Sequence, residues 1–598
     1  MPTEDAEPAD VYRDRLAARR AEYDEHGRRD VRLSMARGVI AVVAVGACSA
    51  TVASSRGGAA VLLLSVVAFG VLVWIHERVA QARERASRSV LFYEAGRARL
   101  GDDWTGRGET GDRFADPAHP YAGDLDLFGR GSLFERLCTA RTRAGEEVLA
   151  AWLLSPASPA EVAARHAAAV ELRPRLDLRE DLAVLGAEAR RSLESSSLRA
   201  WVLAPVEAVP TWLRVTSVAV SSLTFAALWA WGTGVTGPGP LLIALAAVSG
   251  LYRRARVWTD PATRGIDQPA RDLETLTGLV TRVERETFTA PALARLARAF
   301  SGAASRPSAE IARLRRLVEL RDSKRNLYFA PFAYALLWDV HVAAAVARWR
   351  RRAGASVAAA MDALGEIEAL CALAAYSFEN PADAFPTFTD GGPLFDAQAV
   401  GHPLIPASRC VRNDVRFDAE RRLLIVSGSN MSGKSTFLRA VGVNAVLAQM
   451  GAPVRARALV LSPLAVGASI RIVDSLQEGR SRFYAEILRV RQILDMASAR
   501  PWLLFLLDEI FHGTNSADRR VGAEAVVRAL LLRGAAGLVT SHDLALADIA
   551  DRLAPAAENV HFEDHLEEGR IAFDYRLKPG RVEKSNALAL MRAVGLEV

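Results

Sequence analysis

The amino-acid sequence predicts an α/β domain of the phosphate-loop type at the C-terminal end, preceded by an all-α region that carries two transmembrane helical hairpins. Three observations predict it. Gly428–Thr436 reads GSNMSGKST between an apolar run and a helix-like run. Strand and helix patterns alternate through the region that follows. Four nearly uncharged stretches, grouped in two pairs, interrupt a helical background rich in alanine, leucine and arginine. The 598 residues leave room for three or four units at one domain per ~150 residues.

Composition narrows the class. Charged residues are 24% and hydrophobic ones 51%, with a net charge of +6 carried almost wholly by arginine. That balance suits phosphates or an anionic membrane surface. Cys48, Cys138, Cys371 and Cys410 are scattered without a C-x-x-C pair, which argues against a disulfide framework or a cysteine metal site and for a reducing compartment. His561 and His565 in HFEDH lack a third ligand and read as ordinary surface or strand residues.

From the N-terminus, residues 1–38 read as a charged cytoplasmic tail. The first hairpin, 39–76, joins Val39–Ser55 to Gly57–His76 with Arg56 at the turn. Each stretch approaches the ~20 residues that cross a bilayer. Residues 77–210 read as a helical segment that opens with a Gly- and Asp-rich loop, Gly101 through Gly129. The second hairpin, 211–252, pairs Trp212–Gly232 with Pro238–Tyr252. Arginines flank the hairpins (Arg28, Arg29, Arg32, Arg37; Arg78, Arg83, Arg85; Arg253, Arg254, Arg256), whereas the turns are nearly uncharged. The positive-inside rule then leaves the bulk of the chain on the cytoplasmic side of the cytoplasmic membrane. Residues 253–380 read as helical. Within them Phe329–Ala347 carries Asp339 and His341, so it is expected to be one long core helix and not a fifth span. The arginines from Arg348 to Arg352 read as either a phosphate contact or a solvated helix end. Pro381, Pro386 and Gly391–Pro393 break the chain before the domain at 381–598.

That domain holds the candidate site. Gly428, Gly433, Lys434 and Ser435 occupy the fixed places of G-x-x-x-x-G-K-[ST]. Glycines let the backbone wrap a phosphate, and N–H groups of Ser429, Asn430, Met431, Ser432 and Thr436 can form an anion nest. The helix dipole and Lys434 add positive field, and Ser435 can hold Mg²⁺. The chain is thus expected to bind a nucleoside triphosphate. Trp502–Leu507 reads as a strand buried on both faces and ends in Asp508-Glu509. A carboxylate there can hold Mg²⁺ through water, and the next can orient and deprotonate the attacking water. His542, after Gly537–Ser541, can sense the γ-phosphate.

With these residues in place, the C-terminal ~200 residues resemble the ATPase domain of the MutS family of DNA mismatch repair proteins. The likeness rests on Gly401–Ile405, Asn413-Asp414, Asn430-Met431 inside the phosphate loop, and Gln449–Val454. It continues through Gly479–Phe483 (with Arg482 for the usual threonine), Asp508–Ile510, Gly513–Asn515, Thr540–His542 and Asn559–Phe562. Leu125–Leu153 is similar to the start of the family's helical core. The resemblance implies an ABC-type P-loop ATPase using ATP and Mg²⁺ in a head-to-tail homodimer. In it Asn413 borders the nucleotide, Ser481 reaches the γ-phosphate in trans, Asn515 ties the halves together and His542 reports phosphate state. It also implies DNA as partner. Two departures limit this. The mismatch-reading domain has no counterpart, since Phe92-Tyr93-Glu94 only mimics its motif just after a span, and little chain remains for a DNA clamp. The reading is a membrane-anchored MutS-like ATPase coupled to DNA binding, in mismatch repair or other DNA maintenance. The alternatives are an ATP-driven membrane scaffold acting on protein partners and, more weakly supported, a transporter-type ATPase.

Overall fold

The computed structural model describes residues 7–52, 56–192, 195–264, 270–302, 305–429, 432–471, 482–499, 502–511, 515–542, 544–567 and 570–582. A helical N-terminal region leads into an α/β C-terminal region, as expected. The helices are α1 (Pro8–Val52), α2 (Arg56–Leu100), α3 (Leu133–Leu137), α4 (Arg143–Leu154), α5 (Pro159–Leu172), α6 (Leu176–Ser192), α7 (Ser195–Leu203), α8 (Thr211–Gly232), α9 (Gly239–Thr263), α10 (Ala270–Glu284), α11 (Pro291–Phe300), α12 (Pro307–Asp322), α13 (Ala330–Ala335) and α14 (Trp338–Glu379). The α/β region adds β1 (Thr387–Phe388), β2 (Phe395–Val400), β3 (Asn413–Phe417), β4 (Leu423–Ser427), α15 (Lys434–Met450), β5 (Ala458–Leu461), β6 (Ala465–Ser469), α16 (Arg482–Ala499), β7 (Leu503–Asp508), α17 (Ser516–Leu532), β8 (Ala536–Ser541), α18 (Leu544–Arg552), β9 (Ala557–Glu567) and β10 (Arg570–Pro579).

Helices α1 and α2 run antiparallel, each of 45 residues or about 67 Å at 1.5 Å per residue. Their charged halves are stitched together: Asp30 meets His76 at 2.8 Å and Arg83 at 3.1 Å, and Arg20 meets Glu94 at 2.7 Å. Their apolar halves leave Val39, Val42, Leu63 and Leu64 exposed. Residues 1–38, expected as a tail, are helical from Pro8 and continuous with the apolar stretch. The reason is local: Arg13–Asp10, Arg19–Glu22 and Arg29–Glu25 pair at helical spacing along what reads as a charged run.

Among the described residues, three helices are long and apolar enough to cross a membrane: α1, α2 and α8. The second hairpin's other arm, α9, is not among them. Its apolar part, 239–252, covers about 21 Å against a hydrocarbon core of ~30 Å.

Helix α14 is the spine of the helical region, buried along most of its length against α4, α5, α7, α9, α11 and α12. Helices α3, α4 and α5 are each capped by a hydroxyl, with Ser132, Thr142 and Ser158 accepting from the N–H three residues on. The Phe329–Ala347 segment is not one helix. It breaks between α13 and α14, where Leu337 adopts φ 48°, a left-handed conformation costing about 1–2 kcal/mol for a residue with a Cβ. The side chain is buried with Leu213, Val248 and Val340, and that packing holds the strained turn. The Arg348–Arg352 run lies inside α14 and not at a helix end, with Arg348, Arg351 and Arg352 exposed and Arg350 buried. Arg350 donates to the carbonyls of Trp201 and Ala204 at 2.6 and 2.7 Å, and Arg352 pairs with Glu310.

The α/β region holds a four-stranded sheet, ordered β1-β5-β2-β3, and a six-stranded sheet, ordered β10-β9-β4-β8-β7-β6. In the larger sheet β9, β4, β8, β7 and β6 are mutually parallel, and β10 closes one edge antiparallel. At the opposite edge the loop before α3 caps β6: Ala468 donates to the Pro120 carbonyl at 2.9 Å, and Asp124 accepts from Ile470 and Arg471 at 2.7 Å. The two regions therefore share one continuous core that includes Leu125, Tyr376, Val441 and Leu506.

Candidate nucleotide site

Register builds the site. Ser427 of β4 lies opposite Ser541 of β8, and Asp508 of β7 lies opposite Thr540. The carboxyl ends of three neighbouring strands are therefore level, and the loops leaving them meet in one place. β4 reads LLIVS and is buried throughout. It delivers the chain to Gly428, and α15 starts at Lys434 with Gly433 as its cap at φ 98°. A Cβ on Gly428 would lie 2.7 Å from the Ser432 hydroxyl and 3.0 Å from the Phe562 carbonyl, and one on Gly433 3.0 Å from the Tyr575 ring. Only glycine fits both places. The hydroxyls of Ser429 and Ser432 are buried and have no partner among the described residues. Asn430 and Met431 lie outside the described residues.

Lys434 folds back over this loop. Its Nζ donates to the carbonyls of Gly428 and Ser429, each at 2.8 Å, and stands 3.8 Å from Glu509 Oε1. Burial pushes its pKa below the ordinary lysine value, against the pull of Glu509 and Asp508. His542 Nδ1 is 3.3 Å from the same Glu509 oxygen. Glu509 itself sits at φ 46°, a strained backbone for a residue with a Cβ. Thr540 clamps that turn: its hydroxyl donates to Asp508 Oδ1 and accepts from the Glu509 N–H at 3.0 Å.

The residues bound a cavity of about 560 Å³ that runs from Lys434, Ser435, Thr436, Asp508 and Glu509 to Ile405, Val411 and Asn413. That volume lies within the range of small-molecule sites. Asn413 bridges two elements, donating to the Tyr575 carbonyl at 3.0 Å and accepting from the Leu577 N–H at 2.8 Å. Lys434, Ser435, Thr436, Asp508, Glu509 and Asn413 thus line one cavity, and His542 stands beside Glu509. Asn515 caps α17, its side chain accepting from Asp518 N–H at 2.8 Å. Ser481 lies outside the described residues. Two site residues carried no role in the sequence reading. Thr540 is placed by β-register, and Tyr575 covers Gly433 from a bulge in β10 between Phe573 and Leu577.

His402 lines the same cavity, is itself buried, and its Nδ1 accepts from the Leu404 N–H at 3.2 Å. Burial, then Arg439 and Arg455, push its pKa down to about 4. Between that value and the ~6.5 of an unfolded histidine, the unfolded chain binds a proton that the folded chain does not. Stability present above pH 6.5 is therefore lost as pH falls toward 4, by roughly 3 kcal/mol at 1.36 kcal/mol per pKa unit. Urea midpoints taken from pH 7 to pH 4.5 should fall less steeply in His402→Gln than in the unaltered protein. Equal falls would remove His402 as a cause.

The family model "MutS domain V" matches residues 424–597. Over 208 residues the chain is 37% identical to "DNA mismatch repair protein MutS" of Nitratidesulfovibrio vulgaris, covering 33% of this chain and 22% of that protein. It is 33% identical over 271 residues to "DNA mismatch repair protein MutS 2" of Halobacterium salinarum, covering 44% and 30%. It is 32% identical over 244 residues to "Endonuclease MutS2" of Thermus thermophilus, covering 40% and 30%. The chain thus spans less than a third of the length of these curated relatives. The match begins inside β4 and takes in the glycine cradle, Asp508-Glu509 and the Thr540–His542 turn, so it is this C-terminal region of the chain that is similar to MutS domain V.

Proposed function

We propose that the chain is a membrane-anchored MutS-type ATPase that binds ATP and Mg²⁺ in a head-to-tail homodimer and couples hydrolysis to DNA binding. The observation that carries the ATPase reading is the convergence on one cavity of a cradle only glycine fits, a buried lysine and two adjacent carboxylates. In this reading Gly428–Thr436 hold the phosphates through backbone N–H groups, and the hydroxyls of Ser429 and Ser432, unpartnered among the described residues, add contacts. Lys434 gives up its carbonyl partners to reach phosphate oxygens. Ser435 and Asp508 hold Mg²⁺, which supplies charge neutralisation. Glu509 orients a water and takes its proton, and His542 positions that carboxylate according to phosphate state. Ser481 and Asn515 act across the dimer, and Asn413 borders the nucleoside.

Membrane attachment is supported by the exposed apolar halves of α1 and α2 and by α8. DNA as partner is supported by the names of the relatives and by the arginine excess.

The test uses the full chain in detergent. ATP turnover and DNA binding are measured with homoduplex, mismatched and branched DNA across a salt series. Turnover altered by DNA, with affinity falling linearly in log salt, is expected for contact with several phosphates. ATP turnover that no DNA changes would remove the DNA coupling and leave a scaffold acting on proteins.

A further inference from the structure

The geometry points to the segment Asn326–Ala335 as an interfacial membrane element that lies in the lipid headgroup–acyl boundary at the base of α8 and α9. The inference rests on the membrane reading above and adds a contact outside all four apolar stretches. Leu327, Tyr328 and Phe332 are 83%, 85% and 54% exposed, a contiguous apolar surface on a loop and a helix of six residues. In water such a cluster carries a cost with no return.

Its neighbours say what covers it. Tyr334 hydrogen-bonds Ser249 of α9 at 2.8 Å, and its ring lies 5.6 Å from that of Tyr252. Ser249 and Tyr252 close the apolar part of α9, just before Arg253 and Arg254. The segment is therefore pinned at the level where α9 passes from apolar to basic. There α13 packs against α8 and α9, which carry exposed apolar residues of their own, Val215 and Val218 near the start of α8 and Leu242 and Ile243 toward the far end of α9. Lys324 and Arg325 precede it, and Lys324 is fixed by Asp339 at 2.7 Å. Aromatic rings beside basic residues suit the bilayer interface, where the ring body is apolar and the cation meets lipid phosphate.

A second observation is independent of exposure. The strained Leu337 turn separates α13 from α14, although the sequence around it favours a continuous helix. The break ends α13 after six residues and leaves it packed against α8, α9 and α14.

Spin labels in nanodiscs of anionic and zwitterionic phospholipid test this. Cys48, Cys138 and Cys410 are first replaced by serine. Cys371 stays, because burial pushes its thiol up to about 12 and keeps it unreactive. Labels go to Leu327→Cys and Tyr328→Cys, with Leu64→Cys on α2 as the lipid reference and Arg409→Cys as the aqueous one. Collision with oxygen and with a water-soluble nickel chelate is then compared. We expect both test sites to favour oxygen over nickel several-fold more than Arg409→Cys does. Leu64→Cys in lipid with Leu327→Cys and Tyr328→Cys open to nickel overturns this inference alone. Test sites shielded from both reagents mean that protein covers them, which also overturns it. Leu64→Cys open to nickel overturns the membrane reading itself.

Discussion

Glu509→Gln is expected to lower ATP turnover by about 10²–10⁴-fold, the contribution of a well-placed general base, while ATP still binds. Glutamine keeps the shape and the strained backbone but cannot take a proton. Lys434, 3.8 Å away, loses one of the two carboxylates that favour its charge, yet Asp508 remains to hold it. Removing a negative charge beside a polyphosphate also lowers repulsion, so nucleotide affinity should hold or rise. A protein that binds but does not hydrolyse should accumulate as the ATP-bound dimer. Single-turnover quench and light scattering at matched nucleotide would show both effects. Turnover within about threefold of the unaltered protein would sink the assignment of Glu509 as base, since loss of a general base costs far more than that.

What could be read from the chain follows from how local each feature is. The cradle is nine consecutive residues whose spacing is itself the chemistry, and Asp508-Glu509 end a strand recognisable by six apolar residues in a row. Thr540 and Tyr575 are different. Thr540 reaches Asp508 because β7 and β8 pair in one register, and Tyr575 reaches Gly433 through a bulge. Neither register nor bulge is written in the adjacent residues. The helix break at Leu337 also escapes the sequence, because no glycine stands where the left-handed turn falls and the strain is held by contacts from α8 and α9. Residues 8–38 read as a tail because their charge is high, whereas their helix depends on pairs three and four apart and on docking of Tyr12 and Leu16 against α6.

That docking ends in a buried ionic contact, and its removal should be the largest stability effect in the helical region. Glu379 is the last residue of α14, and its carboxylate accepts from Arg99 at 2.6–3.0 Å and from the Tyr12 hydroxyl at 3.2 Å. Burial first, and Glu379 second, push the Tyr12 phenol above its ordinary range. Glu379→Ala leaves the Arg99 guanidinium buried without its counter-charge, a change that costs about 3–5 kcal/mol. Arg99→Met with Glu379→Leu removes both charges and fills the volume, so most of that loss should be recovered. The contact has a further consequence because of where it lies. One residue on, Asn380 accepts from Arg455 at 2.9 Å, and Arg455 also pairs with Asp383 at 3.0 Å. Asn444 accepts the Arg455 N–H at 2.7 Å and donates to the Gly401 carbonyl at 2.9 Å, at the wall of the nucleotide cavity. These polar contacts, linked through the Glu379–Asn380 peptide, thus join the base of the α1–α2 pair to the candidate nucleotide site. Urea unfolding should place Glu379→Ala well below the unaltered protein and the double variant near it. A single variant that loses less than about 1 kcal/mol would show that the carboxylate does not hold the helices there, since surface pairs are worth no more than that.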